Sequence, residues 1–505
     1  MRAGGTEVDA GRAGPPAGPE TSHEDRIRAA VAAARAAQAE WAARRPRSRA
    51  GTLRRLARAL YERSEDIVRA VRAETGKPVQ EALAEVVVSV DLVRYYARVA
   101  PRHLRPRRVG TGWMLWKAAW VEHEPWGVIG AISAWNYPFI LPMDCVAPAL
   151  AAGNGIVLKP SELTPASAEL IPDLCVRAGV PEGLVQVVPG DGEVGRALAL
   201  SNVDRIVFTG STETGRKVMA AAAERLTPVT LELGGKDAAI VLGDADVERA
   251  ARGVVFGALF NAGQTCLSVE RAYAHEDVYE AFVERVVGLV GDLRAGGREA
   301  DVGPLISDAQ IGVVARQVQE ALAGGARVLV GGRPHPTEPR VWEPTVLVDV
   351  DEAMAVARDE SFGPLLPIMA FADEEEVVRR VNASGYGLFA SVWTRDRARG
   401  ERLARRLRAG GVSVNDVLAH YNVPGLPVGG VGASGFGKRR GVEALAEMSR
   451  TRAMLSNRTR GGRELWWYPY GPGRERLFRA LLAWRGLGGV RGVFAAARGL
   501  MRGDD

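Results

Sequence analysis

The sequence predicts an α/β protein built from two successive parallel-sheet domains, preceded by a layer of helices and interrupted by a small β ribbon. Three observations carry this. Short apolar runs at 128–133, 155–158, 184–188, 205–209 and 229–233 alternate with helix-like stretches, a rhythm that specifies a parallel sheet covered on both faces. A second alternating series runs from Ala238 to about Asn415, with strands expected at 271–274, 327–330, 345–348, 366–371 and 388–393. The chain is also 505 residues long, more than one hydrophobic core normally organises.

The elements follow in order. Residues 1–23 begin with a Gly-, Pro- and Ala-rich lead lacking an apolar stretch, which reads as disordered rather than as a signal peptide. From Glu24 to about Ala100, Ala, Leu and Val alternate with Arg and Glu at helical spacing, broken by Pro46 and by Gly76-Lys77-Pro78. Several amphipathic helices are expected there. Residues 112–124, with Met114, Leu115, Trp116, Trp120 and Val121, read as a β hairpin or paired strands whose apolar side chains need a cover, as a subunit contact would provide. Ala409-Gly410-Gly411 and the turn-rich 424–437 close the second domain. In the tail, Trp466, Trp467, Tyr468 and Tyr470 precede an Arg-studded amphipathic stretch, 474–484, expected either to dock on the protein's own surface or to attach reversibly to an anionic membrane or partner.

Composition narrows the function classes. Apolar residues make up 47% and charged residues 25%, ordinary for a soluble protein, and the expected location is cytoplasmic. The net charge of +6 comes from arginines spread along the chain, a pattern that does not form a nucleic-acid footprint. Cys145, Cys175 and Cys266 cannot form a paired framework, and none has metal-ligand spacing, so a reducing compartment and no metal site are expected.

The chemistry concentrates at the predicted strand ends. Cys266, in the small polar segment Asn261–Ser268, reads as a nucleophile; its bland reading is a buried apolar residue. Glu232 emerges from the run 229–233 at Gly234-Gly235, where an apolar wall should raise its pKa into the range of a general base. Asn136, in Ala134-Trp135-Asn136-Tyr137-Pro138, offers a fixed N–H donor for an oxyanion. In Leu158-Lys159-Pro160-Ser161-Glu162, Lys159 can reach phosphate or ribose and Glu162 can accept ribose hydroxyls. That carboxylate would repel a 2′-phosphate, favouring NAD over NADP. Phe208 to Gly215 runs from strand through Gly210 into a helix, so its first N–H groups with Ser211 suit a pyrophosphate. Gly192 and Gly195 form a second glycine-rich turn, and Glu360 with Phe362 sits beside Gly363-Pro364, where they could hold and flank a nicotinamide ribose.

These residues, in this order, resemble the aldehyde dehydrogenase superfamily over roughly 24–457. The resemblance rests on Pro125-Trp126-Gly127-Val128-Ile129, Trp135-Asn136-Tyr137-Pro138, Leu158 to Glu162, Phe208 to Gly215, Glu232 to Lys236, Gly263-Gln264-Thr265-Cys266, and Glu360 with Phe362-Gly363-Pro364. It implies a Rossmann-like NAD-binding domain at 24–111 and 125–232, a catalytic domain at 233–443, a β oligomerisation flap at 112–124 and 444–458, and a C-terminal extension at 459–505. Cys266, Glu232 and Asn136 would be catalytic. Trp135, Lys159, Glu162, Gly192, Gly195, Gly210, Ser211, Gly215, Leu233, Glu360 and Phe362 would hold the cofactor. The implied reaction is NAD(P)-dependent: Cys266 attacks an aldehyde, hydride passes to the nicotinamide, and Glu232 assists hydrolysis of the thioester. A homodimer or homotetramer is implied as well. Val428 replaces an aromatic found in many members. Asn415-Asp416-Val417 with His420-Tyr421 is similar to the fatty-aldehyde branch, and Leu305-Ile306-Ser307 to bacterial succinate-semialdehyde or carotenoid-aldehyde members. A CoA-acylating enzyme would have no need of Glu232, and a cysteine hydrolase would leave Lys159, Glu162 and Glu360 without a use.

Overall fold

A computed structural model describes residues 22–297, 299–459, 464 and 466–501; most of the expected disordered lead lies outside them. The chain forms two compact units, one made of residues up to Arg105 with His123–Thr451, the other of Pro106–Glu122 with residues from Arg452 onward.

The first unit begins with four helices, His23–Ala43, Pro46–Glu62, Ser64–Thr75 and Val79–His103. Pro46 opens the second, where a missing N–H costs nothing. Gly76 ends the third in the left-handed region with φ 71°. Strands β1 (Arg107–Val109) and β2 (Lys117–Pro125) follow. Then come β3 (Val128–Ile132), β4 (Gly155–Lys159), β5 (Val185–Val187), β6 (Arg205–Thr209) and β7 (Val229–Glu232), all within a residue or two of the expected runs. They form a sheet in the order β7-β6-β3-β4-β5, parallel throughout. Alternate residues face opposite layers, as a strand's two-residue period requires. Ile129 and Ala131 pack with the helical layer of Trp41, Leu53 and Tyr96, while Val128 and Ile132 pack with Ile27, Val31 and Leu198 on the other face.

The second sheet of this unit contains β8 (Ala238–Val241), β9 (Arg271–His275), β10 (Arg327–Val330), β11 (Thr345–Val348), β12 (Leu365–Phe371), β13 (Phe389–Trp393) and β14 (Gly411–Val414), ordered β10-β11-β12-β9-β8-β13-β14. Only the edge pair β10–β11 is antiparallel. β14 is a correction: Ala409-Gly410-Gly411 does not close the domain, because Gly411 starts a strand paired with Phe389. A Cβ at Gly411 would lie 3.1 Å from the Phe389 ring, so the glycine admits the ring rather than breaking the chain. Within 424–437, β15 (Gly435–Phe436) is a second departure, pairing antiparallel with Glu232 and Leu231 to extend the first sheet.

In the second unit the ribbon takes the form of paired strands rather than a hairpin within 112–124. Residues 112–116 are turn and loop, and β2 pairs instead with β1, Arg107 opposite Val121 and Val109 opposite Ala119. β16 (Ser449–Asn457) completes a three-stranded sheet in the order β1-β2-β16. Residues 444–447, expected in the flap, instead belong to the helix Gly441–Glu447, whose Ala444 and Leu445 enter the core beside Tyr96. The extension holds two helices, Pro472–Leu487 and Gly489–Met501.

Candidate active site

The site assembles where chain leaves the ends of β3, β7 and the helix Val247–Leu259. After β3 the chain turns through Trp135 and Asn136, and the buried Lys77 donates to the Asn136 carbonyl at 2.9 Å. Lys77 also pairs with Glu85 at 2.9 Å, and Glu85 accepts from the N–H groups of Phe139 and Ile140, both at 3.1 Å. A carboxylate from the fourth helix thus caps the start of the helix Ile140–Ala152 and fixes the Asn136 turn.

The cysteine loop is fixed from the same helix. Its main-chain N–H at Asn261 donates to Glu81 at 2.8 Å. Asn261 and Ala262 both adopt φ 56°, ψ 34°, a left-handed pair that reverses the chain after the helix. Gly263 follows at φ 72°, and a Cβ there would fall 2.1 Å from the Gly363 carbonyl oxygen, so only glycine fits. Gln264 ties the loop down, accepting from Ile306 N–H at 2.9 Å and donating to the Asn261 carbonyl at 3.0 Å. Asn136 Nδ2 donates to the Gln264 carbonyl at 2.9 Å, which joins the two loops two residues before Cys266.

Glu232 ends β7 deep in the protein, and its Oε1 has no hydrogen-bond partner among the described residues. Burial pushes its pKa up to about 7, against the pull of Arg439 and Lys438. Burial, followed by the charges of Glu232, Asp237 and Glu360, raises the Cys266 thiol well above its ordinary value. The thiol is therefore neutral at physiological pH unless a base takes its proton.

Cys266 borders two cavities. One, about 310 Å³, is also lined by Trp135, Asn136, Gly210, Ser211, Glu232, Leu233, Glu360 and Phe362. The structure thus brings most of the expected site residues to one cleft. The Trp135 and Phe362 rings meet edge-on with centroids 5.3 Å apart. Glu360 accepts from Gly235 N–H at 3.0 Å, and burial raises its pKa to about 7. Lys159, Glu162, Gly192, Gly195 and Gly215 stand outside that cleft's lining. Buried Lys159 reaches Glu162 at 3.1 Å, and Lys159 Cδ lies 3.9 Å from where a Gly195 Cβ would be. A Cβ at Gly215 would come within 2.4 Å of Leu233, so this glycine lets the helix Thr212–Ala223 press on the strand end. Ser211 caps that helix by accepting from Thr214 N–H at 3.2 Å, leaving earlier first-turn N–H groups for an anion. A Cβ at Gly192 would meet open space. This glycine-lined helix start, with a neighbouring Lys–Glu pair, fits a dinucleotide.

Three buried charge groups of the site escaped the sequence reading. Lys236 donates to Glu270 at 2.7 Å and to Ser361 Oγ at 3.0 Å, and Glu270 accepts from the N–H groups of Ser361 and Phe362 at 2.9 Å each. Arg439 and Arg440 converge on buried Asp144 at 3.7 and 3.0 Å, and Arg439 with Asp144 lines the Glu232 cleft. The third is Glu81 and Glu85 with Lys77. The only signal for the second was the run Lys438-Arg439-Arg440 after a glycine turn; nothing local says that it is buried.

The second cavity, about 790 Å³, lies beyond Cys266 and is walled by Val88, Phe256, Phe260, Trp393, Val417 and Leu418 among others. A thiol shared by the Glu232–Glu360 cleft and a second cavity with largely apolar walls fits an aldehyde oxidoreductase. The sequence model of the aldehyde dehydrogenase family matches residues 17–454, and the chain belongs to that family. It is 41% identical over 431 residues to a 4,4′-diapolycopene aldehyde oxidase of Methylomonas sp, covering 85% of this chain and 81% of that protein. A Mycobacterium ulcerans (strain Agy99) protein carrying the provisional name succinate-semialdehyde dehydrogenase, NADP(+)-type, 2 is 39% identical over 442 residues, 86% of this chain and 84% of its own. Among solved structures, the NAD+ complex of an aldehyde dehydrogenase from Bacillus cereus superposes with a TM-score of 0.83 at 35% identity, covering 86% and 89% of the two chains. PnpE from Pseudomonas sp. WBC-3 gives 0.84 at 33%, covering 88% and 92%.

Proposed function

We propose that the protein oxidises a long apolar aldehyde to its carboxylate, with NAD as the preferred hydride acceptor and Cys266 as the nucleophile. The observation that carries this reading is the position of Cys266 in the wall of both cavities. A substrate entering from one side meets the thiol with its carbonyl carbon facing the other.

The residues divide the work. As Cys266 Sγ adds to the carbonyl, its proton passes to Glu232, whose pKa of about 7 makes it an effective acceptor at neutral pH. The oxyanion takes hydrogen bonds from the Cys266 N–H and from the Asn136 Nδ2 proton not committed to Gln264. When bound, NAD supplies the hydride acceptor; Trp135, Leu233, Glu360 and Phe362 would hold its nicotinamide end, and Lys159, Glu162, Gly192, Gly195, Gly210, Ser211 and Gly215 its remainder. With its proton released to solvent, Glu232 then takes one from water, which attacks the Cys266 thioester and frees the carboxylate.

Charge supports an apolar substrate over a semialdehyde carrying a carboxylate. The large cavity is lined by the carboxylates of Glu81, Glu85, Asp246, Glu248 and Asp416 against the guanidinium groups of Arg249 and Arg252. Both arginines are committed, Arg252 to Glu248 and Arg249 to the Asn415 carbonyl at 2.9 Å. For the cofactor, Glu162 favours a free ribose over a 2′-phosphate.

The test is NADH formation by purified protein with a long-chain apolar aldehyde, a short one and succinate semialdehyde, repeated with NADP. The reading predicts a rise in kcat/KM with chain length, by up to about 1–3 kcal/mol per buried methylene, and a preference for NAD. Equal or better turnover of succinate semialdehyde would overturn the substrate assignment.

A further inference from the structure

We infer that the C-terminal helical hairpin is a lipid-binding element that lies in the surface of an anionic membrane. The helix Gly489–Met501 has two contrasting sides. At about 100° per residue, Val490, Val493, Phe494, Ala497 and Leu500 fall within an arc of about 120°. Val490 and Phe494 are each 71% exposed, and Val493 and Leu500 are also open to solvent. Arg491 and Arg498 stand at the margin of that arc, and both are exposed.

The small side of the same helix faces its partner. Gly492 is buried, and a Cβ there would lie 2.5 Å from the Trp484 carbonyl oxygen. Ala495 and Ala496 are half-buried. Small residues let the two helices close on each other, and the large side chains are left outside.

The partner helix, Pro472–Leu487, adds to the exposed apolar surface with Phe478, Leu482, Trp484 and Leu487. Before it, Trp467, Tyr468 and Tyr470 are exposed as well, and aromatic residues of this kind favour the headgroup level of a bilayer. Residues 466–501 contain six arginines and one glutamate, so the segment complements an anionic surface. No described helix is long and apolar enough to cross a membrane. Apolar surface with a basic margin and no spanning length fits a helix lying in the interface.

The experiment is co-sedimentation of the full chain with vesicles of phosphatidylcholine alone or mixed equally with phosphatidylglycerol. The protein is expected to pellet with the mixed vesicles and to be released by high salt. The double variant Val493→Glu, Phe494→Glu should lose binding, and Arg491→Glu, Arg498→Glu should lower partition about tenfold or more. Oxidation of a short, water-soluble aldehyde serves as the folding control for both variants and should be unchanged. Failure of the unaltered protein to bind mixed vesicles would overturn the inference. So would wild-type retention by both active variants. A loss of self-association, read by light scattering, in place of lost vesicle binding would assign the face to a second copy and overturn it equally.

Discussion

The side-chain amide of Asn136 donates to the main-chain carbonyl of Gln264 at 2.9 Å, tying the turn after β3 to the loop that carries Cys266. The bond fixes where the second Nδ2 proton points, the proton that the proposed mechanism offers to the oxyanion. Asn136→Ala is expected to lower kcat by about 10²–10³-fold, with a much smaller change in KM. Steady-state kinetics check this; a purely binding effect, raised KM at unchanged kcat, would contradict it.

The second prediction concerns pH. Glu232 must be ionised to act as a base, and its pKa lies at about 7. Turnover limited by thioester hydrolysis should therefore climb as pH rises through about 7 and level off above it. In Glu232→Gln both steps lose their base, so the stoichiometric burst of NADH should be slower than in the wild type and the turnover that follows reduced at least about 10²-fold. A pH-rate profile with stopped-flow detection separates the two phases.

Stability should run the other way. Burial raises Glu81, Glu232 and Glu360 to about 7 each, above the ordinary glutamate value of 4.5. The folded state then holds more protons than the unfolded state between those values. Their contribution is full below about pH 4.5 and is lost as pH rises through 7. Tm measured across that window should fall less steeply in Glu81→Gln than in the wild type.

A buried ion pair backs the Glu360–Phe362 side of the cleft. Lys236 and Glu270 meet at 2.7 Å with almost no exposure, and Glu270 holds the N–H groups of Ser361 and Phe362. Lys236→Met leaves a buried carboxylate without its cation, a loss of about 3–5 kcal/mol by analogy with other broken buried pairs. Chemical denaturation measures that loss. NAD titration by tryptophan fluorescence should show weaker binding, because the loop of Glu360 and Phe362 loses its anchor.

How much of this was legible in the sequence depends on the range of the interaction. Most strands of both sheets were readable because each is a short apolar run, and those buried along their whole length, such as β3, β4, β11 and β13, leave the clearest local trace. That Cys266, Glu232 and Asn136 would meet in one cleft was legible because each follows a strand or helix end and lies near a glycine or proline. β15 was not, since the pairing of Gly435 with Glu232 spans the whole second domain. β14 was misread because Gly410-Gly411 looks like a stop, whereas Gly411 makes room for the Phe389 ring. The Lys236–Glu270, Arg440–Asp144 and Lys77–Glu85 pairs were invisible because local sequence does not reveal which charges fold into the interior.

The most direct test of the central claim is mass spectrometry of Glu232→Gln after incubation with NAD and a long-chain aldehyde. With acylation slowed and hydrolysis blocked, the account predicts that over a prolonged incubation the acyl group accumulates as a thioester on the peptide containing Cys266, and that Cys266→Ala, Glu232→Gln accumulates none. NADH production by Glu232→Gln with no acyl mass on any cysteine, or with the adduct on Cys145 or Cys175, would contradict it.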